Sequence, residues 1–392
     1  MESVPLTISF DLPEEASMMR DAVREFAEKE IAPVAGDLDE QEEFSPELTK
    51  KMGDLGLLGV YLPEEFGGSD LSYLAYIVAV EELARVDGSQ AATIAAHNSL
   101  GIGPIYYFGT EEQREKYLPQ LTTGDKVWGF GLTEPEAGSD AGASKTKAVQ
   151  ERNEWIINGS KNFITNGSTP ASLGCTVQTI TGSRPDGRKE YTCFLVEQGT
   201  KGFEATSMHK KMMWRSSITS ELFFTNCKVD NSAMLGKRGE GFHQMLDTLD
   251  KGRLSIGAMG LGCAQGAYEQ ALEYAKQRKA FGRPISQFQA NAFKLADMAI
   301  EIEAARNLLY KATWLYDQGR SEYKKYAAMA KLYCSEVSNR VVNQAVQIHG
   351  GYGLMKEYPV ERFYRDQRLL EIGEGTSEIQ RMVIARYIGC YK

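Results

Sequence analysis

The chain has 392 residues, 42% hydrophobic and 25% charged, which is enough for two or three domains and a large core. A net charge of −9 argues against a nucleic-acid binder, which needs a basic surface to neutralise phosphates. No run of about 20 apolar residues occurs, so no membrane-spanning helix is expected.

The opening stretch, MESVPLTISFDLPEEASMMRDAVREF, is acidic and enters an amphipathic pattern almost at once. It reads as neither a signal peptide nor an Arg-rich transit peptide, and a cytoplasmic protein is the simplest expectation. In EEASMMRDAVREFAEKEIAPVA, Met18, Ala22, Phe26 and Ile31 fall at helical spacing, which predicts a helix ending near Pro33. SYLAYIVAVEELARVD and EEQREKYLPQL are further amphipathic stretches. This helical zone covers residues 1–122.

Over 123–236 the period changes. EWIINGSKNFIT places two apolar runs around Asn158-Gly159, which predicts a hairpin with a tight turn there. LGCTVQTIT and YTCFLVE flank GSRPDGRKE, whose Pro185-Asp186-Gly187 is turn chemistry, and TSELFFTNCKV alternates again. Short strands with regular turns predict a small barrel or sandwich. Asn158 and Asn166 each open an Asn-Gly-Ser glycosylation pattern, but without a signal peptide the turn reading fits better.

Over 237–392 long helices return. One apolar stripe runs from Phe288 through Ala292, Leu295, Ala299, Ile302 and Leu309 to Tyr316, and another takes in Val337, Val341, Ala345 and Ile348. Gly257, Gly260, Ala264 and Ala267 give the preceding helix a narrow face for close contact. Such helices predict an antiparallel four-helix bundle. The expected fold class is therefore α+β multidomain: an N-terminal all-α domain, a middle β domain and a C-terminal bundle, packed as one body because no low-complexity linker separates them. The six cysteines lack CxxC spacing and read as free packing thiols. The four histidines lack ligand spacing, so no metal site is expected.

The usual phosphate loops are missing. There is no GxxxxGK[ST], and Gly260, Gly262 and Gly266 lie in a helical pattern rather than after a strand, against Rossmann-type nicotinamide binding. No GxSxG elbow exists. Other stretches carry weaker marks. GFGLTEPEAGSD (129–140) follows a short strand and is rich in hydroxyls, and FIT (163–165) ends a strand with an aromatic and a hydroxyl. RKAFG (278–282) and QIHGGYG (347–353) end helices on glycines. In LEIGEGTSEIQR, Glu374 stands between Gly373 and Gly375 before a helix. Thr376 or Ser377 can cap that helix, with Gln380 at capping-box spacing from Ser377. Each stretch alone reads as ordinary punctuation of a chain.

Their order and spacing are specific. Together with LDKGR, QFQANAFKLADMA and YPVERFYRD, they recur as in the acyl-CoA dehydrogenase family, which the sequence clearly resembles over nearly all of its length. The resemblance implies FAD as cofactor, an acyl-CoA substrate, electron-transferring flavoprotein as partner, and a dimer unit that usually forms a homotetramer. It makes Glu374 the catalytic base, taking a proton beside the thioester carbonyl while a hydride leaves the β-carbon for the flavin. A burying pocket would raise its pKa and strengthen it as a base.

By the same resemblance Phe130, Leu132, Thr133 and Ser139 line FAD, and Phe163, Ile164 and Thr165 pack on its other side. Arg278, Phe281, Gln289, Gln347, Gly350 and Gly351 reach FAD from a neighbouring subunit. Thr376 and Glu378 close its adenosine or pyrophosphate end. Ser139, Asp250 and Arg253, with Gly375 beside the base, hold substrate. The chain departs from the family at Phe163, where Trp is frequent, and at Gly373, where Tyr often precedes the base. Met213 and Ile218 also replace a usual Gly and a frequent polar residue. Some relatives carry the base at the position of Gly252, which offers no carboxylate. Ala91 stands where the glutaryl-CoA branch needs an Arg. A short, branched or alicyclic acyl group is the expected substrate. An oxidase returning electrons to oxygen, or a scaffold that has lost the chemistry, are the alternatives.

Overall fold

Residues 11–390 are described by a computed structural model of the chain. The first ten residues and the last two lie outside it. Pro13 stands at the N-cap of α1 (Glu14–Phe26), where its missing N–H is not needed. A π-turn follows over Ala27–Ile31, then α2 (Ala35–Gln41) and α3 (Pro46–Asp54), the latter capped by the Ser45 hydroxyl accepting from the Leu48 N–H. The buried stripe of α1 is Ala16, Met19, Val23 and Ala27, leading to Ile31. Met18 and Ala22, expected inside, face out. Both sets have helical spacing; the set with two alanines and Val23 lets α1 close on α4 (Tyr73–Ala84).

Helix α4 is not amphipathic as predicted, since every residue from Tyr73 to Ala84 is buried. Its two buried carboxylates are paired. Glu81 meets Arg306 and the Tyr310 hydroxyl, and Glu82 meets Arg24 and Arg85. Helices α5 (Gly88–Ala96), α6 (Gly103–Phe108) and α7 (Glu111–Leu121) complete this part, and Thr110 with Gln113 forms a capping box on α7.

The middle part is one sheet. Strand β1 (Val127–Gly131) runs parallel to β4 (Ser172–Ser183). With β2 (Lys147–Glu151), β3 (Glu154–Thr165), β5 (Lys189–Glu197), β6 (Phe203–Ser207), β7 (Thr219–Asp230) and β8 (Met234–Leu235), the order is β6-β7-β3-β2-β4-β5-β8, with β1 attached to β4. The predicted hairpin turn at Asn158-Gly159 is absent. Strand β3 passes straight through it, and Gly159, at φ +144°, takes up a register shift against β7. The real β2–β3 turn is Arg152-Asn153, with Arg152 at φ +57°. A bulge and a turn both need unusual backbone angles at Gly, so Asn-Gly alone does not separate them. The Pro185-Asp186-Gly187 turn forms as expected, with Asp186 Oδ1 accepting from the Arg188 N–H at 3.0 Å.

Helix α8 (Gly241–Gln277) then crosses the molecule. A Cβ at Gly260 would lie 3.0 Å from the Cys334 carbonyl of α10 (Tyr323–His349). At Gly262 and Gly266 it would collide with the carbonyls of Glu81 and Arg85 at the end of α4. Helix α8 is thus held closely on two different faces, one against α10 and one against α4. Helix α9 (Gln289–Asp317) buries Leu295, Ile302 and Leu309, and α11 (Val360–Asp366) and α12 (Ser377–Tyr387) close the C-terminal helical part. RKAFG is not a simple helix end. Strands β9 (Lys279–Ala280) and β10 (Arg283–Pro284) form a hairpin whose tip, Phe281-Gly282, has positive φ at both residues. Among the described residues no helix is long and apolar enough to cross a membrane.

Candidate active site

A short helical turn, Gln367–Glu371, precedes Glu374, and α12 follows it. Glu374 has φ +51° and Gly375 φ +94°. A non-glycine residue in the left-handed region is held there by its surroundings. The ties are visible. Gln380 Nε2 donates to the carbonyls of Glu374 at 3.2 Å and Gly375 at 3.0 Å, and a Cβ on Gly375 would meet that same nitrogen at 2.7 Å. Lys331 Nζ donates to the Gly375 carbonyl at 2.7 Å. Gln380 therefore braces the loop rather than forming a capping box with Ser377; the cap of α12 is Thr376, accepting from the Ile379 N–H.

This backbone aims the Glu374 carboxylate at α8. A Cβ at Gly252 would land on Glu374 Oε2, with Leu100 at 3.3 Å. That oxygen is buried and has no hydrogen-bond partner. Burial pushes the Glu374 carboxyl up to about 7, against the pull of Lys331 and Arg253. The buried Tyr76 of α4 also feels its charge. Near neutral pH such a group can hold or release a proton, as a general base requires. Arg253 Nη1 lies 2.5 Å from Asp250 Oδ1, and Lys324 meets Asp250 at 3.1 Å, so the expected substrate residues of α8 flank Gly252 as an ion-pair cluster.

A second group lies on the sheet. Phe130, Leu132 and Thr133 follow one another out of β1, and Phe163, Ile164 and Thr165 end β3. The two runs are neighbours, since the Asn162 N–H donates to the Thr133 carbonyl at 2.8 Å. Phe163 holds φ +60° and its ring is 62% exposed. Beneath them Lys161 Nζ, fully buried, donates to Glu134 Oε1 at 2.7 Å and to the Leu132 carbonyl at 3.2 Å. Glu134 also accepts from the Lys145 and Thr146 N–H groups. This pair pins the loop that carries Thr133. Ser139 lies exposed further along that loop.

A third group gathers at the far ends of α8 and α10. Arg278, Gly350 and Gly351 line an open cavity of about 580 Å³ with Tyr274, His349 and Tyr352. Gln289 and Gln347 are exposed, and Phe281 is 96% exposed at its hairpin tip. Glu374 does not border this cavity. Glu378 is exposed in the first turn of α12, beside the Thr376 cap. The Glu374 loop, the ends of β1 and β3, and the outward-facing cluster are thus three separate places on one chain. Lys331, which the sequence reading passed over, joins the first. The signal was present, because Lys331 stands on the buried stripe of Ala327, Ala330, Cys334 and Val337.

The chain matches three family domains in order. They are described as "Acyl-CoA dehydrogenase, N-terminal domain" over residues 13–125, "middle domain" over 129–227 and "C-terminal domain" over 239–389. A probable acyl-CoA dehydrogenase of Bacillus subtilis is 49% identical over 381 residues, 97% of this chain and 100% of that protein. A short-chain specific acyl-CoA dehydrogenase of Clostridium acetobutylicum is 45% identical over 378 residues, 96% of this chain and 99% of that protein. Among solved structures, butyryl-CoA dehydrogenase from Megasphaera elsdenii superposes with a TM-score of 0.93 at 42% identity, covering 97% of this chain and 100% of that one. A chain of a structure described as "Electron transferring flavoprotein of Acidaminococcus fermentans" reaches a TM-score of 0.94 at 44% identity, with coverage of 97% and 100%. An acyl-CoA dehydrogenase complexed with FAD from Bacillus anthracis gives 0.90 at 35% identity, covering 96% of this chain and 67% of that one. Matched from end to end and nearly half identical to its relatives, the chain belongs to the acyl-CoA dehydrogenase family.

Proposed function

We propose that the protein dehydrogenates a short acyl-CoA thioester to its 2-enoyl-CoA, with Glu374 as the base and FAD as the cofactor. One observation carries the reading: a buried carboxylate oxygen without a partner, held by a strained backbone against a helix position where only glycine fits. Bound FAD supplies the acceptor for the hydride leaving the β-carbon. The chain's residues suit such a group. Phe163 offers an exposed ring beside Leu132 and Thr133, and a Cβ built on Gly350 or Gly351 finds open space.

The steps left to the protein are binding and proton transfer. Asp250 and Arg253, paired on α8 beside Gly252, hold the CoA part of the substrate. Glu374 takes the proton from the carbon next to the carbonyl, and burial gives it the proton affinity to do so. Its neighbours Gly373 and Gly375 add no side chain to the approach. A Cβ at Gly373 would meet only Leu369, at 3.5 Å. The short-chain and butyryl-CoA relatives support a short chain. The resemblance and the flavoprotein structure support an electron-transferring flavoprotein as acceptor, and the family supports a homotetramer.

Two measurements test this. Glu374→Gln retains FAD and fold but loses dehydrogenation by several orders of magnitude; near-normal turnover would mean another base. A panel of acyl-CoA esters with an artificial electron acceptor shows highest kcat/KM for short chains, and a clear preference for long straight chains would remove the substrate reading. Peroxide released in step with turnover would make it an oxidase.

A further inference from the structure

Inside α10, Lys331 is fully buried, and its ammonium donates to the Gly375 carbonyl at 2.7 Å. It forms no ion pair among the described residues. Next to Gly375 in the chain, Glu374 buries a carboxylate oxygen that has no hydrogen bond. A lone buried cation and a lone buried anion each carry a large desolvation cost, which mutual attraction offsets. Resting on the reading of Glu374 as base, we infer that Lys331 is a positioning residue for it: its ammonium fixes the Gly375 carbonyl and, through its charge, keeps the Glu374 carboxylate available to accept a proton.

The surroundings favour Lys331 over the other candidates for this role. The groups facing Glu374 are Lys331 from α10, Arg253 from α8 and the Tyr76 phenol from α4. Arg253 is already paired with Asp250, so part of its field is spent within α8. Tyr76 is neutral, with its hydroxyl donating to the Ala95 carbonyl at 2.9 Å. Glu371 and Glu378 act on Lys331 from the chain on either side of the base loop. Burial, and to a lesser degree the Arg253 charge, pull the lysine down to about 8, while Glu374 holds it up. The tie also acts on shape. With Gln380 it ties down the Gly375 carbonyl next to the base, while the Glu374 carboxylate itself faces Gly252.

The test uses the FAD-loaded enzyme with Lys331→Met, which removes charge and donor, and Lys331→Gln, which keeps a donor and removes charge. A cation near a carboxylate lowers its pKa, so losing it moves the acidic limb of kcat/KM to higher pH, by about one unit for a neighbouring charge. Both variants are expected to show that shift, and Lys331→Met a further drop in kcat. A second readout needs no turnover. The protonated-carboxyl infrared band that disappears in Glu374→Gln is followed against pH, and it should persist to about one unit higher in the lysine variants. If band and limb stay at the wild-type pH in whichever variant folds, Lys331 is only packing and the inference fails. Failure of the base reading looks different: Glu374→Gln itself would turn over normally.

Discussion

A carboxylate proposed as a base for one carbon atom has little tolerance for displacement, and Gly252 shows how little space surrounds Glu374. A single methyl there would overlap Oε2. Gly252→Ala is therefore expected to push the carboxylate aside and lower kcat about 10–100-fold, while the thermal midpoint changes little. A variant with wild-type kcat would show that the carboxylate works from another pose. The Glu374 loop stood out in the sequence because a carboxylate between two glycines, in a chain with the family's other motifs, has few readings. Its left-handed backbone was not legible, because the angle comes from Gln380 and Lys331, one of them 43 residues away in the chain. A lysine on an apolar helix stripe is a sequence signal in itself, but periodicity does not say what it touches.

At the scale of elements, the ends of β1 and β3 depend on the Lys161–Glu134 pair. Removing one member leaves the other charged and buried, which typically costs about 3–5 kcal/mol. Glu134→Gln and Lys161→Met should each lower stability by that order in denaturant unfolding and weaken FAD retention, while the double variant recovers part of the loss. Equal losses that simply add would mean the pair is not coupled. Strand positions were read well where a clear turn signal separated them, as between β4 and β5, and where the sequence alternates, as in β7. The error at Asn158-Gly159 arose because a bulge inside a long strand and a tight turn draw on the same residue chemistry. In α1 two stripes competed, and the partner helix α4, not the period, decided between them. The finger of β9 and β10 was hidden because four strand residues carry no periodicity at all.

For the whole molecule, the three compositional zones correspond to helices, sheet and helices, and this much was readable from period alone. What period does not show is which surfaces stay open in one chain. Phe281, projecting on its hairpin, is the clearest open apolar group. Phe281→Asp is expected to leave the circular dichroism unchanged while the protein sediments as a smaller species with less FAD per chain; full FAD and unchanged size would release this finger from any role between subunits. The burial of α4 bears on how the chain is made. Apart from the paired Glu81 and Glu82 the helix has little to show to water, and the α8 glycines that close on its C-terminal end, Gly262 and Gly266, lie about 180 residues downstream, roughly 10–40 s later at ordinary rates of synthesis. For that interval the emerging polypeptide carries an unclothed greasy rod, so the first zone waits for the last before it can set, and a truncated product ending after the sheet is expected to be captured by chaperones or to precipitate.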